Sequence, residues 1–251
     1  MPTRIMAFAL FVICLPAWAE STGSLSTGFD YSTGKYGGTT STSILYIPVT
    51  GKIEYDDFFL KLTVPYISVS SAGTAVIRGM GPVRTATATR TTTQSGLGDV
   101  VASAGYFLYE DDNLLLDVVG NIKFGTADAN KNLGTGENDY FAQLDGFYTL
   151  RKTTLFATAG YKVVGAPAGV AVNNIAFGTL GVSQKTGEKT SAGVMLDAAQ
   201  GSSELSPGIR ELSFFVSNKM SKTLKLQASL LKGFSDSSPD YGGSLMVAGS
   251  F

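Results

Sequence analysis

The chain has 251 residues and a net charge of −1, and only 16% of its residues are charged, against roughly a quarter in an average soluble domain. It has no histidine, which excludes Ser-His and Cys-His catalysis, His-ligated metals and histidine proton relays. Its one cysteine, Cys14, excludes an internal disulfide and a cysteine metal cluster, and its charge balance offers no basic surface to nucleic acid.

Residues 1–19 read MPTRIMAFALFVICLPAWA. Arg4 supplies a positive start, Ile5 to Leu15 an unbroken apolar run, and Ala17-Trp18-Ala19 a small-residue cleavage site. The run is shorter than the ~20 apolar residues of a spanning helix. The pattern predicts a cleaved export signal over 1–19 and a mature chain over 20–251 that begins at Glu20 and has lost Cys14. No later stretch approaches the ~18 apolar residues of a membrane helix.

From there on the chain reads in period two. In LLLDVVGNIKF, Leu114, Leu116, Val118, Ile122 and Phe124 share one face, and Asp117, Asn121 and Lys123 share the other. In YGGSLMVAGSF, Tyr241, Leu245, Val247 and Phe251 alternate with Ser244, Met246, Ala248 and Ser250. These are half-apolar strands without the recurrence of a helix. Twelve are expected, over 24–36, 41–55, 58–69, 97–109, 114–126, 138–149, 153–165, 174–185, 190–200, 209–219, 223–234 and 241–251. At about 3.3 Å per residue and a tilt near 40°, each spans an apolar band of about 25 Å.

Connection lengths alternate. Short ones fall at Asp56-Asp57, 111–113, Arg151-Lys152, 186–189 and 220–222; long ones at 70–95, 127–137, 166–173, 201–207 and 235–240. The first, 37–40, is short for its class. An even number of strands with short turns at one end and longer loops at the other predicts an all-β fold: a transmembrane antiparallel up-and-down barrel of about twelve strands in a bacterial outer membrane, with short turns and both termini in the periplasm.

Register supplies a second line of argument, because residues paired across a hairpin face the same way. A two-residue turn at Asp56-Asp57 sets Glu54 opposite Phe59 and Lys52 opposite Lys61, which places Leu45, Ile47 and Val49 outside with Leu60, Leu62 and Val64. The turn at Arg151-Lys152 places Leu144 and Tyr148 outside with Leu155 and Ala159. In 174–185, Ile175 and Phe177 compete with Leu180 and Val182 for the outer face.

Charge decides which face meets lipid. Asp30, Lys52, Glu54, Lys61, Asp99, Asp117, Lys123, Asp139, Asp145, Lys162, Asp197, Glu211, Lys219 and Lys225 fall on one parity. A lipid-facing Lys or Arg at the bilayer midplane costs about 2–4 kcal/mol, so this parity is assigned to the lumen. Lys232 breaks the pattern near an outer strand end, where it snorkels or marks a bulge after Leu230. Outward aromatics gather at two rims: Tyr66, Phe124, Tyr140, Tyr161, Phe234 and Tyr241 by the long loops, Tyr55, Tyr106, Tyr148 and Phe251 by the short turns. Two interfacial girdles are the arrangement an outer-membrane barrel requires.

Three stretches carry a family resemblance: GKIEYDDFFLKLTVPYIS from Gly51 to Ser68, Gly96-Leu97-Gly98-Asp99-Val100, and Lys123 to Asp128 followed by Gly134-Thr135-Gly136 and Asn138-Asp139-Tyr140. Over about 41–251 the chain resembles an outer-membrane family catalogued under "meta-pathway of phenol degradation". It departs from the family pattern at Gly125 and Ala127, where a Pro and a Gly are expected. The resemblance implies a transporter linked to aromatic catabolism, with no catalytic residue. The terminal Phe251 after alternating apolar residues resembles the signal read by the outer-membrane assembly machinery.

Function follows from the lumen set. Its acids and lysines make either a polar pathway for a small solute or a mutually neutralised lattice in the wall. The aromatics assigned to the lumen (Phe59, Phe107, Tyr109, Phe141, Phe147, Phe156 and Phe215) make either an apolar path or a plug, with Phe147 opposite Phe156. Arg78, Arg84 and Arg90 stand in the 70–95 loop without a neighbouring acid, placed to meet lipopolysaccharide phosphates or to draw anions. Gly134-Thr135-Gly136 lacks the length and the lysine of a phosphate loop. The expected partners are outer-membrane lipid, lipopolysaccharide, the assembly machinery and a small solute; no metal or other cofactor is expected. No enzymatic activity is expected either, the one formal opening being the acids Asp139 and Asp145. A structural or surface-interaction barrel with a blocked lumen is the competing reading.

Overall fold

The computed structural model describes residues 21–71, 75–77, 81–83, 92–203 and 208–251. The export signal with Cys14, the start at Glu20 and the loop residues Arg78, Arg84 and Arg90 lie outside the described residues.

The strands are β1 (Ser21–Gly34), β2 (Thr42–Tyr55), β3 (Phe58–Ser71), β4 (Ala75–Ile77), β5 (Gly81–Val83), β6 (Thr92–Leu97), β7 (Val100–Glu110) and β8 (Leu114–Phe124). They continue with β9 (Asp139–Leu150), β10 (Thr153–Val163), β11 (Ile175–Lys185), β12 (Thr190–Ala199), β13 (Ile209–Lys219), β14 (Leu224–Gly233) and β15 (Tyr241–Ser250). β4 and β5 form a small separate hairpin. β6 and β7 both pair with β3 and make one wall strand, interrupted at Gly98-Asp99. Every wall strand pairs antiparallel with the next, and β15 pairs with β1, so twelve wall strands close a barrel. Closure gives each of the twelve wall strands a partner on either side, which an apolar surround demands.

The outer face is apolar and exposed: Leu60 is 61% accessible, Leu180 65% and Leu230 68%. Inward residues such as Phe59 and Ser213 are 7% and 2% accessible. Alternation of this kind is a requirement imposed by lipid outside and polar groups within. Both aromatic rims are present, with Tyr66, Tyr140, Tyr161, Phe234 and Tyr241 exposed at one end and Tyr55, Tyr106, Tyr148 and Phe251 at the other.

Register agrees with the hairpin arithmetic: Lys52 opposes Lys61, Glu54 opposes Phe59, and Phe147 opposes Phe156. The ambiguity in 174–185 resolves through pairing with β10. Leu180 opposes Ala157 and faces out, whereas Phe177 opposes Gly160 and faces in, beside the buried Ile175. Lys232 pairs regularly with Leu212 and Tyr241, so no bulge follows Leu230 and its exposed chain extends at the rim.

One lumen assignment is corrected. A bulge between Phe107 and Tyr109 shifts the register, so Phe107 opposes Asp117 but Tyr109 opposes the outward Leu116. Tyr109 is 50% accessible and donates to Asp111 (3.0 Å), so it belongs to the short-turn rim and not to the bore. An inserted residue reverses every face beyond it, and nothing in the alternation of Phe107, Leu108 and Tyr109 marks the insertion.

Two apolar clusters sit beneath the long loops. Tyr36, Ile44, Ile67, Val69, Ala127 and Leu133 pack together, which brings the 35–41 and 125–138 connections inward over β2 and β3. Val164 and Ile175 make the second, with Val172, Phe177 and Ala199 against them.

Candidate functional site: the barrel lumen

The inward charges divide into three groups. The first centres on Asp139, which is fully buried. Lys123 Nζ lies 2.9 Å from Asp99 Oδ2 and 3.4 Å from Asp139 Oδ2, and Lys162 Nζ lies 4.0 Å from the same Asp139 oxygen. The remaining carboxylate oxygens hold loop backbone: Asp139 Oδ1 accepts from the Gly165 N–H (3.0 Å) and Asp99 Oδ1 from the Ala127 N–H (3.0 Å). Lys162 also lies over the Phe141 ring at 5.3 Å. This set tethers the 125–138 and 164–174 connections to the wall; its buried members Lys123 and Asp139 are structural groups.

The second group borders a cavity of about 770 Å³ at the short-turn end, with Lys52, Lys61, Asp117, Asp145, Gln143, Phe59, Phe107 and Phe147 in its lining. Lys52 pairs with Glu54 on its own strand and stands over the Phe59 ring at 4.2 Å. Lys61 has Asp145 and Asp117 as its attracting charges. Asp145 accepts from Gln143 Nε2 (2.7 Å) and Thr158 Oγ1 (2.5 Å).

The third group borders a cavity of about 470 Å³ toward the long-loop end, lined by Asp30, Asp197 and Glu211 among serines and Phe177, Met195 and Phe215. Asp197 accepts from Thr179 Oγ1 at 2.6 Å. Lys219 and Lys225 oppose each other, exposed at the short-turn rim. Phe251 is 83% accessible and exchanges two hydrogen bonds with Gly23, each 2.9 Å.

Four of the inward aromatics share one geometry. Phe59 opposes Gly105, Phe156 opposes Gly181, Phe177 opposes Gly160 and Phe215 opposes Gly193. In each pair the ring occupies the space that a Cβ on the glycine would fill. A ring laid on a bare stretch of sheet lies along the wall instead of crossing the bore. Phe147 and Phe156 are 6.4 Å apart with nearly parallel planes, and Phe156 and Phe215 are 6.3 Å apart, so the rings form a band around one side. Phe177 stands apart from this band, 6.3 Å from Phe141; its inward direction, ambiguous from alternation alone, follows from the pairing of β10 with β11.

Neither the family models nor the curated proteins contain a match to the sequence, so the resemblance to the phenol-pathway family is not supported by them. The fold has close counterparts among solved structures. The COG4313 outer membrane channel from Pseudomonas putida F1 superposes with a TM-score of 0.69 at 15% identity, covering 94% of this chain and 97% of that one. The NanC porin gives 0.56 at 9% identity over 90% and 98%, and the KdgM porin, solved with disordered oligogalacturonate, 0.55 at 11% over 91% and 99%. At these identities the likeness establishes the fold: a closed twelve-stranded barrel of the kind used by outer-membrane channels and porins.

Proposed function

We propose that the mature chain is an outer-membrane channel through which a small solute passes, and that an aromatic or apolar-faced solute suits its bore. The observation that carries this reading is the set of four Phe–Gly pairs, which keep inward rings on the wall and leave cavities at both ends of the lumen. The architecture shared with channels and porins supports it by analogy. Barrels of eight strands are filled by side chains and those of sixteen are open, so at twelve the placement of individual side chains decides. The cleaved signal over 1–19, recognition of Phe251 by the assembly machinery, and contact of Arg78, Arg84 and Arg90 with lipopolysaccharide belong to the same proposal.

One observation favours the blocked-lumen alternative. Leu133 and Tyr36, 2% and 5% accessible, bring two loops over the β2–β3 side of the long-loop mouth. A liposome-swelling assay separates the two. Swelling in isosmotic solutions of small neutral or aromatic solutes supports a pathway; vesicles that stay sealed at high protein load support a closed barrel. No catalytic role is proposed, and Asp139 is fully buried among Lys123, Lys162 and the Gly165 N–H.

A further inference from the structure

The short-turn rim carries its charge in two halves. At the β2–β3 and β7–β8 turns stand Asp56, Asp57, Glu110, Asp111 and Asp112, all exposed, with no lysine or arginine among them. At the next three turns stand Arg151 and Lys152, then Lys185 and Lys189, then Lys219 and Lys222, also exposed, with Glu188 as the one acid. None of these six cations is in an ion pair among the described residues. Backbone hydrogen bonds make the basic turns neighbours along the rim: the Lys185 N–H donates to the Lys152 carbonyl and the Lys219 N–H to the Lys189 carbonyl, each 2.8 Å.

Above the first two basic turns the outer face is dented. A depression of about 600 Å³ runs across β8–β13, bordered by leucines such as Leu155, Leu180 and Leu196. Its floor is small: Ala157 opposes Gly146 on one side and Leu180 on the other. Leu155 follows Lys152 by three residues and Val182 precedes Lys185 by three, which is about 10 Å of strand. We propose that this face retains a phospholipid with an anionic headgroup, an acyl chain in the depression and the phosphate on Arg151, Lys152 and Lys189. The inference rests on the short turns facing the periplasm, where they reach the inner leaflet. It holds whether or not the bore conducts. An acyl chain can lie against any part of an apolar wall; selection comes from the coincidence of a groove with unpaired cations at its foot. Each surface cation attracts an anionic headgroup, and arginine binds phosphate through two parallel donors. The acidic turns on the other half repel the same headgroup, which confines retention to one side of the barrel.

The test is native mass spectrometry of the refolded mature chain in neutral detergent, mixed with equal amounts of phosphatidylglycerol and phosphatidylcholine of the same acyl chains. The wild type is expected to retain phosphatidylglycerol over phosphatidylcholine by roughly tenfold. The triple variant Arg151→Gln, Lys152→Gln, Lys189→Gln is expected to lower that preference by about fivefold or more. Ala157→Phe, which fills the depression and leaves the cations in place, is expected to lower the retained phosphatidylglycerol severalfold. Asp56→Asn with Asp57→Asn, on the acidic half, is expected to change neither. Each variant is checked for folding by its heat-dependent gel shift. A wild type without preference overturns the inference, as does a folded triple variant with the full preference or an equal loss in the Asp56, Asp57 control. A dimer free of lipid overturns it in favour of a second copy on this face. If the triple variant does not fold, the wild-type preference together with Ala157→Phe decides.

Discussion

Phe156 covers Gly181, its direct cross-strand partner, with the tip of its ring in the space a Cβ at that position would take. The pair is a device for keeping a large apolar side chain inside a barrel without closing it. A side chain at 181 has to displace the ring toward the axis or strain the wall. Gly181→Val is therefore expected to lower single-channel conductance and to destabilise by about 1–3 kcal/mol, the usual cost of overpacking. Adding Phe156→Ala to Gly181→Val is expected to restore conductance. Equal conductance in wild type and both variants would show that the rings do not border the path.

Asp139 serves two lysines and one loop amide at once. Replacing it with Ala leaves Lys123 and Lys162 facing each other without their shared carboxylate. Breaking a buried charge pair from one side costs about 3–5 kcal/mol. Asp139→Ala is expected to lower the temperature of the gel-mobility transition strongly, and proteolysis within 164–174 is expected to rise because the Gly165 tether is lost. Glu54→Ala, at a half-exposed pair, is expected to change stability by about 1 kcal/mol or less. Comparable losses for the two variants would contradict a structural role specific to the Asp139 set.

Arg151 holds a positive φ of 57° at the first position of the two-residue turn between β9 and β10. A non-glycine residue in that region costs roughly 1–2 kcal/mol. Arg151→Gly is expected to stabilise the barrel by about 1 kcal/mol in urea unfolding. A decrease would mean that the guanidinium makes a contact outweighing the backbone strain.

Asp111 caps the short turn before β8, accepting from the Asn113 N–H (2.8 Å), the Leu114 N–H (2.7 Å) and the Tyr109 hydroxyl. The two backbone donors first, then the hydroxyl, hold its carboxyl below the ordinary carboxylate range. Its contribution is complete above the unfolded value of about 3.9 and is lost as pH falls through the lowered folded value. Amide exchange at Asn113 and Leu114, corrected for intrinsic rate, is expected to lose protection below about pH 4. In Asp111→Ala that protection is expected to be missing at neutral pH as well. Protection unchanged down to pH 2 in the wild type would contradict the capping role.

Much of the wall was legible because lipid on one side and charge on the other impose strict alternation, and because a two-residue turn leaves one register. Lys52 opposite Lys61 follows from Asp56-Asp57 alone. What was not legible depends on lengths and insertions that alternation does not encode. The bulge between Phe107 and Tyr109 moved Tyr109 out of the lumen, because Leu108 and Tyr109 are acceptable to either side of a rim. Phe156 on Gly181 pairs across the 164–174 connection, whose length does not fix a register as a tight turn does. The tether of Asp99 to Lys123 and to the Ala127 N–H depends on the break at Gly98-Asp99, which reads in sequence as the opening of a strand. Asp139 and Lys162 were both legible as inward charges, but the complete burial of Asp139 was not.

The most direct test of the central claim is single-channel recording of the refolded mature chain in a planar bilayer. A passage lined by wall-bound rings predicts discrete, reproducible current steps at constant voltage, reduced in Gly181→Val. A membrane that stays silent at high protein load, with the barrel shown to be folded by its gel shift, would contradict the channel reading and favour a barrel closed by its own loops.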